Sequence, residues 1–186
     1  MKKLFFFIAM IGAISILSVN VNAQVTSNQE LTMGIPEVLL INAVNASGVT
    51  GAVSLELTTT VAGTAISGGT GTSYAQLSSI VTSTQTRKMT ASVTGVPTGT
   101  ELSVATAVPT NANFAGTVGT GTGSLVLGAV AVDIATGIGS CYTGTAAGDG
   151  YQLDYDWDAG AAGAYGTIFA TGATTATVVL TLSAGY

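Results

Sequence analysis

Apolar and polar residues alternate with a period of two along much of this 186-residue chain, the pattern of strands with one face buried and one face wet. Leu31, Met33 and Ile35 alternate with Thr32 and Gly34, and Pro36 then removes a ladder donor and keeps Ile35 extended. The run from Val38 to Ile41 is apolar at every position, which predicts a short strand buried on both sides. Val53, Leu55, Leu57, Thr59 and Val61 share one face of a predicted half-buried strand, with Ser54, Glu56, Thr58 and Thr60 on the other. Met89, Ala91 and Val93 repeat the alternation, as do Leu102, Val104, Thr106 and Val108. Tyr151, Leu153, Tyr155 and Trp157 then alternate with Gln152, Asp154, Asp156 and Asp158 without exception. The apolar run from Leu125 to Ile134 and the stretch from Tyr165 to Ala170 read as further strands, and Ala176, Val178, Leu180 and Leu182 share a face at the C-terminus.

Turn-forming residues separate these segments. Ser67 to Ser73, Gly116 to Gly123 and Thr143 to Gly150 are rich in glycine, threonine and serine and read as loops. About eight to ten short strands with turns between them, and no helical period beyond the N-terminal segment, define an all-β chain and predict an antiparallel, Ig-like β-sandwich. A β-solenoid is the alternative suggested by the Thr-Gly texture, but a solenoid needs a fixed repeat length and none is present.

The N-terminal segment changes how the rest is counted. Residues 1–23 comprise basic Lys2 and Lys3, an apolar run from Leu4 to Leu17 and a polar stretch ending in Ala23, the layout of a cleaved signal peptide with the cut before Gln24. An apolar run of about 14 residues falls short of the roughly 20 that span a bilayer. The only cysteine, Cys141, is far from the cut, so the layout is not that of a lipoprotein. The expected organisation is therefore a signal peptide (1–23), an N-terminal arm and candidate donor strand (24–35), and a sandwich domain (36–186), secreted to the cell surface or beyond and without a membrane span after cleavage.

Composition then removes whole classes of chemistry. Charged residues make up 7% of the chain, against about 25% in typical domains. No histidine is present, which excludes Ser-His-Asp and Cys-His catalysis and histidine-ligated metals. Without the signal peptide, Arg87 and Lys88 are the only basic residues against nine acidic ones, a formal charge of −7. Nucleic-acid binding needs a basic stripe that this chain lacks.

Two sets of residues remain as candidate sites in the domain. Asp154, Asp156 and Asp158 stand at positions one, three and five of a calcium-loop opening, a carboxylate-rich pattern that suits a hard cation. The sixth and twelfth positions are Ala159 and Tyr165, where an EF-hand wants Gly and Glu, and the strand period instead describes a solvated acidic face. Apart from that possible Ca²⁺, no cofactor is implied. A glycosidase carboxylate pair is a third reading of the same residues. Cys141, unpaired and flanked by apolar neighbours, reads as a buried thiol, with an intermolecular bridge as the alternative.

Ile35-Pro36-Glu37-Val38-Leu39-Leu40, Thr136-Gly137-Ile138-Gly139-Ser140-Cys141-Tyr142 and Thr177-Val178-Val179-Leu180-Thr181-Leu182 resemble small secreted β-sandwich proteins of Bacteroidota-type bacteria. The stretch from Gly163-Ala164-Tyr165-Gly166-Thr167-Ile168 through Leu182 is similar to the last hairpin of spore-coat-U-like and fimbrial subunits. The resemblance implies an Ig-like sandwich and, from the fimbrial group, assembly into surface fibres. It departs from that group in having no cysteine pair for an internal disulfide. The expectation is a secreted, non-enzymatic structural subunit of a pilus-like fibre or surface layer, partnered by copies of itself through β-strand addition, with Leu31, Met33 and Ile35 as the assembly residues. The alternative is a surface adhesin or a carbohydrate- or ice-binding sandwich.

Overall fold

A computed structural model describes residues 26–185; the expected signal peptide at 1–23 and the first residues of the expected arm, 24 and 25, lie outside the described residues, as does Tyr186. The chain up to Gly34 is a unit of its own, and its described part has neither strand nor helix. The second unit starts at Ile35 and is the folded domain.

Its strands are β1 (Val38–Asn45), β2 (Gly69–Ile80), β3 (Thr86–Thr94), β4 (Thr100–Ala107), β5 (Ala115–Gly116), β6 (Thr120–Gly121), β7 (Leu125–Val126), β8 (Val132–Ile138), β9 (Cys141–Tyr142), β10 (Tyr151–Ala159) and β11 (Thr177–Gly185). All pair antiparallel, in two sheets. The first runs β5-β9-β2-β10-β4-β7, with β1 also on β2, and the second runs β11-β3-β8-β6. Because β1 and β10 both pair with residues 73–75 of β2, they lie on its opposite edges. The core is filled from both sheets, by Leu77, Val104, Tyr151 and Leu153 on one side and Met89, Ile134, Ile138 and Leu182 on the other. The fold is an all-β antiparallel sandwich, and the solenoid reading falls away.

Alternation placed β3, β4 and β10 well. Along β10, Tyr151, Leu153 and Tyr155 are buried, while the intervening Gln152, Asp154 and Asp156 turn outward. Four other expectations need correction. The Gly-rich stretch at 67–73 is not all loop, since β2 begins at Gly69. Glycine is needed there for close approach: a Cβ on Gly71 would lie 2.5 Å from Val53 Cγ1 and 2.7 Å from Leu55 Cδ2. The predicted strand at 53–61 keeps its alternation, with Val53, Leu55 and Leu57 half-buried, but it joins no sheet and has only the isolated bridge Thr58–Ser67. The 165–170 stretch contributes to a 3-10 turn, Ala162–Thr167, rather than a strand, so β11 pairs with β3 and not with a hairpin neighbour. Finally, β1 is not buried on both sides, because it pairs with β2 alone and leaves Leu39 and Leu40 exposed.

Candidate functional site

The feature that sets this domain apart is one long flank of the sandwich. β1 is the outer strand of the first sheet and β11 the outer strand of the second, and among the described residues neither pairs on its far side. They run in opposite directions along this flank. The start of β1 faces the end of β11, because Glu37 Oε2 accepts a hydrogen bond of 2.9 Å from Arg87 Nη2, and Arg87 pairs with Ala184. At the other end, Ala43 and Val44 of β1 line a common cleft with Thr177 and Val178 of β11. Both strands are long, at 8 and 9 residues. Their exposed positions include large apolar side chains, Leu39 at 45%, Leu40 at 64% and Val179 at 50%, beside exposed Asn42, Thr177 and Thr181. A bare strand edge of this kind offers a row of N–H and C=O groups to any extended segment that can reach it.

The proposed assembly residues are available in the plainest sense. Leu31, Met33 and Ile35 are 75%, 89% and 86% exposed, on backbone outside every ladder. They form no first strand of their own domain, which begins pairing at Val38. Three large apolar side chains at alternate positions in water are costly to leave uncovered, at roughly 1.5–3 kcal/mol of transfer free energy each when fully buried.

The acidic strand is differently placed. Asp154, Asp156 and Asp158 share the outer face of β10, and the strand rise separates each from the next by about 7 Å. A calcium ion holds its oxygens at about 2.3–2.6 Å, so three carboxylates strung along one strand do not converge on it. Among the described residues, no group of three or more His, Cys, Asp or Glu is placed to hold a metal. Asp154 is instead engaged by its neighbours, accepting 2.8 Å hydrogen bonds from Thr72 Oγ1 and Gln152 Nε2.

The carboxylate that sequence reasoning passed over is Asp149, which is almost fully buried. Its Oδ1 accepts from Asn111 Nδ2 at 2.7 Å and Asn113 Nδ2 at 3.0 Å, and its Oδ2 accepts from the backbone N–H of Ala146 at 2.7 Å. It clamps the turn before β10 to the turn before β5, a structural role. The signal was present in Asn111-Ala112-Asn113, two amides at alternate positions, but nothing local joins them to a residue 36 positions away. The Arg87–Glu37 pair was invisible for the same reason.

Cys141 is buried in β9, and burial pushes its thiol up to about 11. It is protonated and unreactive at neutral pH, in keeping with the buried-thiol reading. Burial raises the Tyr151 phenol too, with the nearby Cys141 adding to the effect, and the Tyr151 hydroxyl donates to the Val118 carbonyl. Tyr155 is raised by burial, opposed by its hydrogen bond with Ser73.

Among the described residues, no helix is long and apolar enough to cross a membrane. In comparison with known proteins, no family model and no curated relative matches this chain.

Proposed function

We propose that this protein is a secreted, non-enzymatic structural subunit that builds a pilus-like fibre or surface layer from copies of itself by β-strand addition. The observation that carries the reading is the flank: two long antiparallel edge strands lie side by side, unpaired outward among the described residues and with apolar side chains exposed at Leu39, Leu40 and Val179. The arm supplies the complement. Residues 24–35, fully extended, reach about 40 Å at the strand rise, and an 8-residue edge needs roughly 26 Å. Leu31, Met33 and Ile35 fall at the alternate positions that place side chains on one face of an added strand, and Pro36, without an N–H, ends the pairing. A surface with few charges also lets copies approach without strong repulsion. Secretion rests on the N-terminal segment alone.

Natural proteins block such edges with lysine, which makes lysine the probe. Leu40→Lys combined with Val179→Lys changes two exposed side chains, so the monomer stays folded. Purified mature protein is expected to form regular filaments by negative-stain microscopy, and the double variant to remain monomeric. Filaments formed equally by both would refute addition at this flank.

A second reading has one observation in its favour. The outer face of the first sheet holds a shallow hollow lined by Thr70, Thr72, Ser124, Asp154 and Asp156, a set of hydroxyls and carboxylates suited to the hydroxyls of a saccharide. Heat on titration with neutral oligosaccharides, abolished by Asp154→Ala with Asp156→Ala, would support a carbohydrate-binding surface protein.

A further inference from the structure

The inward positions of β2 read Gly69, Gly71, Ser73, Ala75 and Leu77, and the two glycines let Trp157, Val53 and Leu55 pack close against the strand. Beside these side chains a cleft of about 400 Å³ lies between the two sheets, where β1 ends and β11 begins. Its walls include Val44, Leu102, Tyr155, Trp157 and Val178, with Val53 and Leu55 entering from the extended segment that crosses Gly71. No acidic or basic side chain lines it. Hydroxyls do: those of exposed Thr174, Thr175 and Thr177 and, on largely buried residues, Ser73 Oγ and Tyr155 Oη, which lie 3.5 Å apart. At that separation their mutual bond is long, and each keeps spare capacity to donate or accept.

We propose that this cleft binds a small neutral amphiphile, an aliphatic or aromatic body carrying one hydroxyl or carbonyl group that meets the Ser73–Tyr155 pair. Two features select that chemistry. The volume lies in the range of small-molecule sites, which are mostly apolar with a few placed polar groups. A charged head would lose its hydration with no opposite charge in the lining to replace it. The site lies within one copy of the domain and does not depend on assembly.

Trp157 is the only tryptophan in the chain and forms part of the wall, so its emission reports occupancy directly. Mature protein is titrated with n-octanol and, in parallel, with sodium octanoate. The expected result is a saturable change with octanol and at least tenfold weaker binding of octanoate. Tyr155→Phe, which removes one hydroxyl, is expected to weaken octanol by roughly fivefold to tenfold. Ala176→Phe, which places a ring at the mouth lined by Ala176, is expected to abolish the change. A non-saturating response, octanoate bound as well as octanol, or an Ala176→Phe titration like that of the parent would each overturn the proposal. The octanol–octanoate pair on the unmodified protein decides it even if a variant fails to fold.

Discussion

The two long flanks of this sandwich are finished in opposite ways. On one, the chain leaves the second sheet at β6 and joins the first at β7, stitching both sheets as it goes. Thr122 N–H donates to Ile134, Thr106 N–H to Thr122, Leu127 N–H to Leu102 and Val93 N–H to Gly128. On the other flank, β1 and β11 lie beside each other, and among the described residues no strand pairs on the far side of either. Closing a flank demands tight fitting, as Gly119 illustrates: its φ is +69°, and a Cβ there would run into the Thr136 carbonyl. Leaving one open demands only that its apolar side chains find cover elsewhere. The contrast teaches that the bare flank is a property of the topology, since the same chain closes the other side with a segment of about ten residues.

Several substitutions put numbers on that contrast. Ile134, fully buried behind the closed flank, is expected to cost about 3–4 kcal/mol when changed to Ala, while Leu40→Ala on the open flank costs the dilute monomer about 0.5 kcal/mol or less. Urea unfolding measures both, and equal losses would mean that the open flank is packed after all. Gly119→Ala is expected to cost about 2 kcal/mol, from the left-handed backbone and the carbonyl clash together. A neutral result would show that the crossing segment tolerates slack.

A smaller effect separates the flanks by pH. Cys141 and Tyr151 are buried with pKa values raised above their unfolded values, and Tyr151 is bonded to Val118 in the chain leading to the crossing. For a group whose folded pKa is raised, stability is fully present below the unfolded pKa and is lost as pH rises through the folded one. Stability is therefore expected to be level up to about pH 9 and to fall between about 9 and 11, the interval over which Cys141 is displaced. Urea midpoints across that range check it, and Cys141→Ala is expected to flatten part of the fall. An unchanged fall in that variant would remove the thiol from the account.

Much of the scaffold was legible from alternation because burial on one face of a strand is written in every second residue. The run Tyr151 to Asp158 shows this most clearly, since its aromatic and acidic positions separate onto the two faces of β10. What could not be read was pairing. Val53 to Leu57 alternates as well as any strand, yet its apolar side chains insert over Gly71 while its backbone joins no sheet. Glycines at 69 and 71 look like a loop, because turn preference and the need for close approach select the same residue. The candidate site divides similarly. Leu31, Met33 and Ile35 stand out as apolar residues in polar surroundings, whereas the flank they would meet is defined by which strands lack a neighbour, a tertiary fact. The acidic triplet gave its face correctly but not its spread, and convergence is what a cation requires.

The central claim is that the open flank receives the arm of another copy. The most direct measurement compares the mature chain with a version lacking residues 24–35, by sedimentation velocity and negative-stain microscopy over a range of concentrations. The predicted result is filaments from the complete mature chain and a folded, monodisperse monomer from the shortened one. Filaments unchanged by the deletion, or a complete chain that stays monomeric at every concentration, would contradict it.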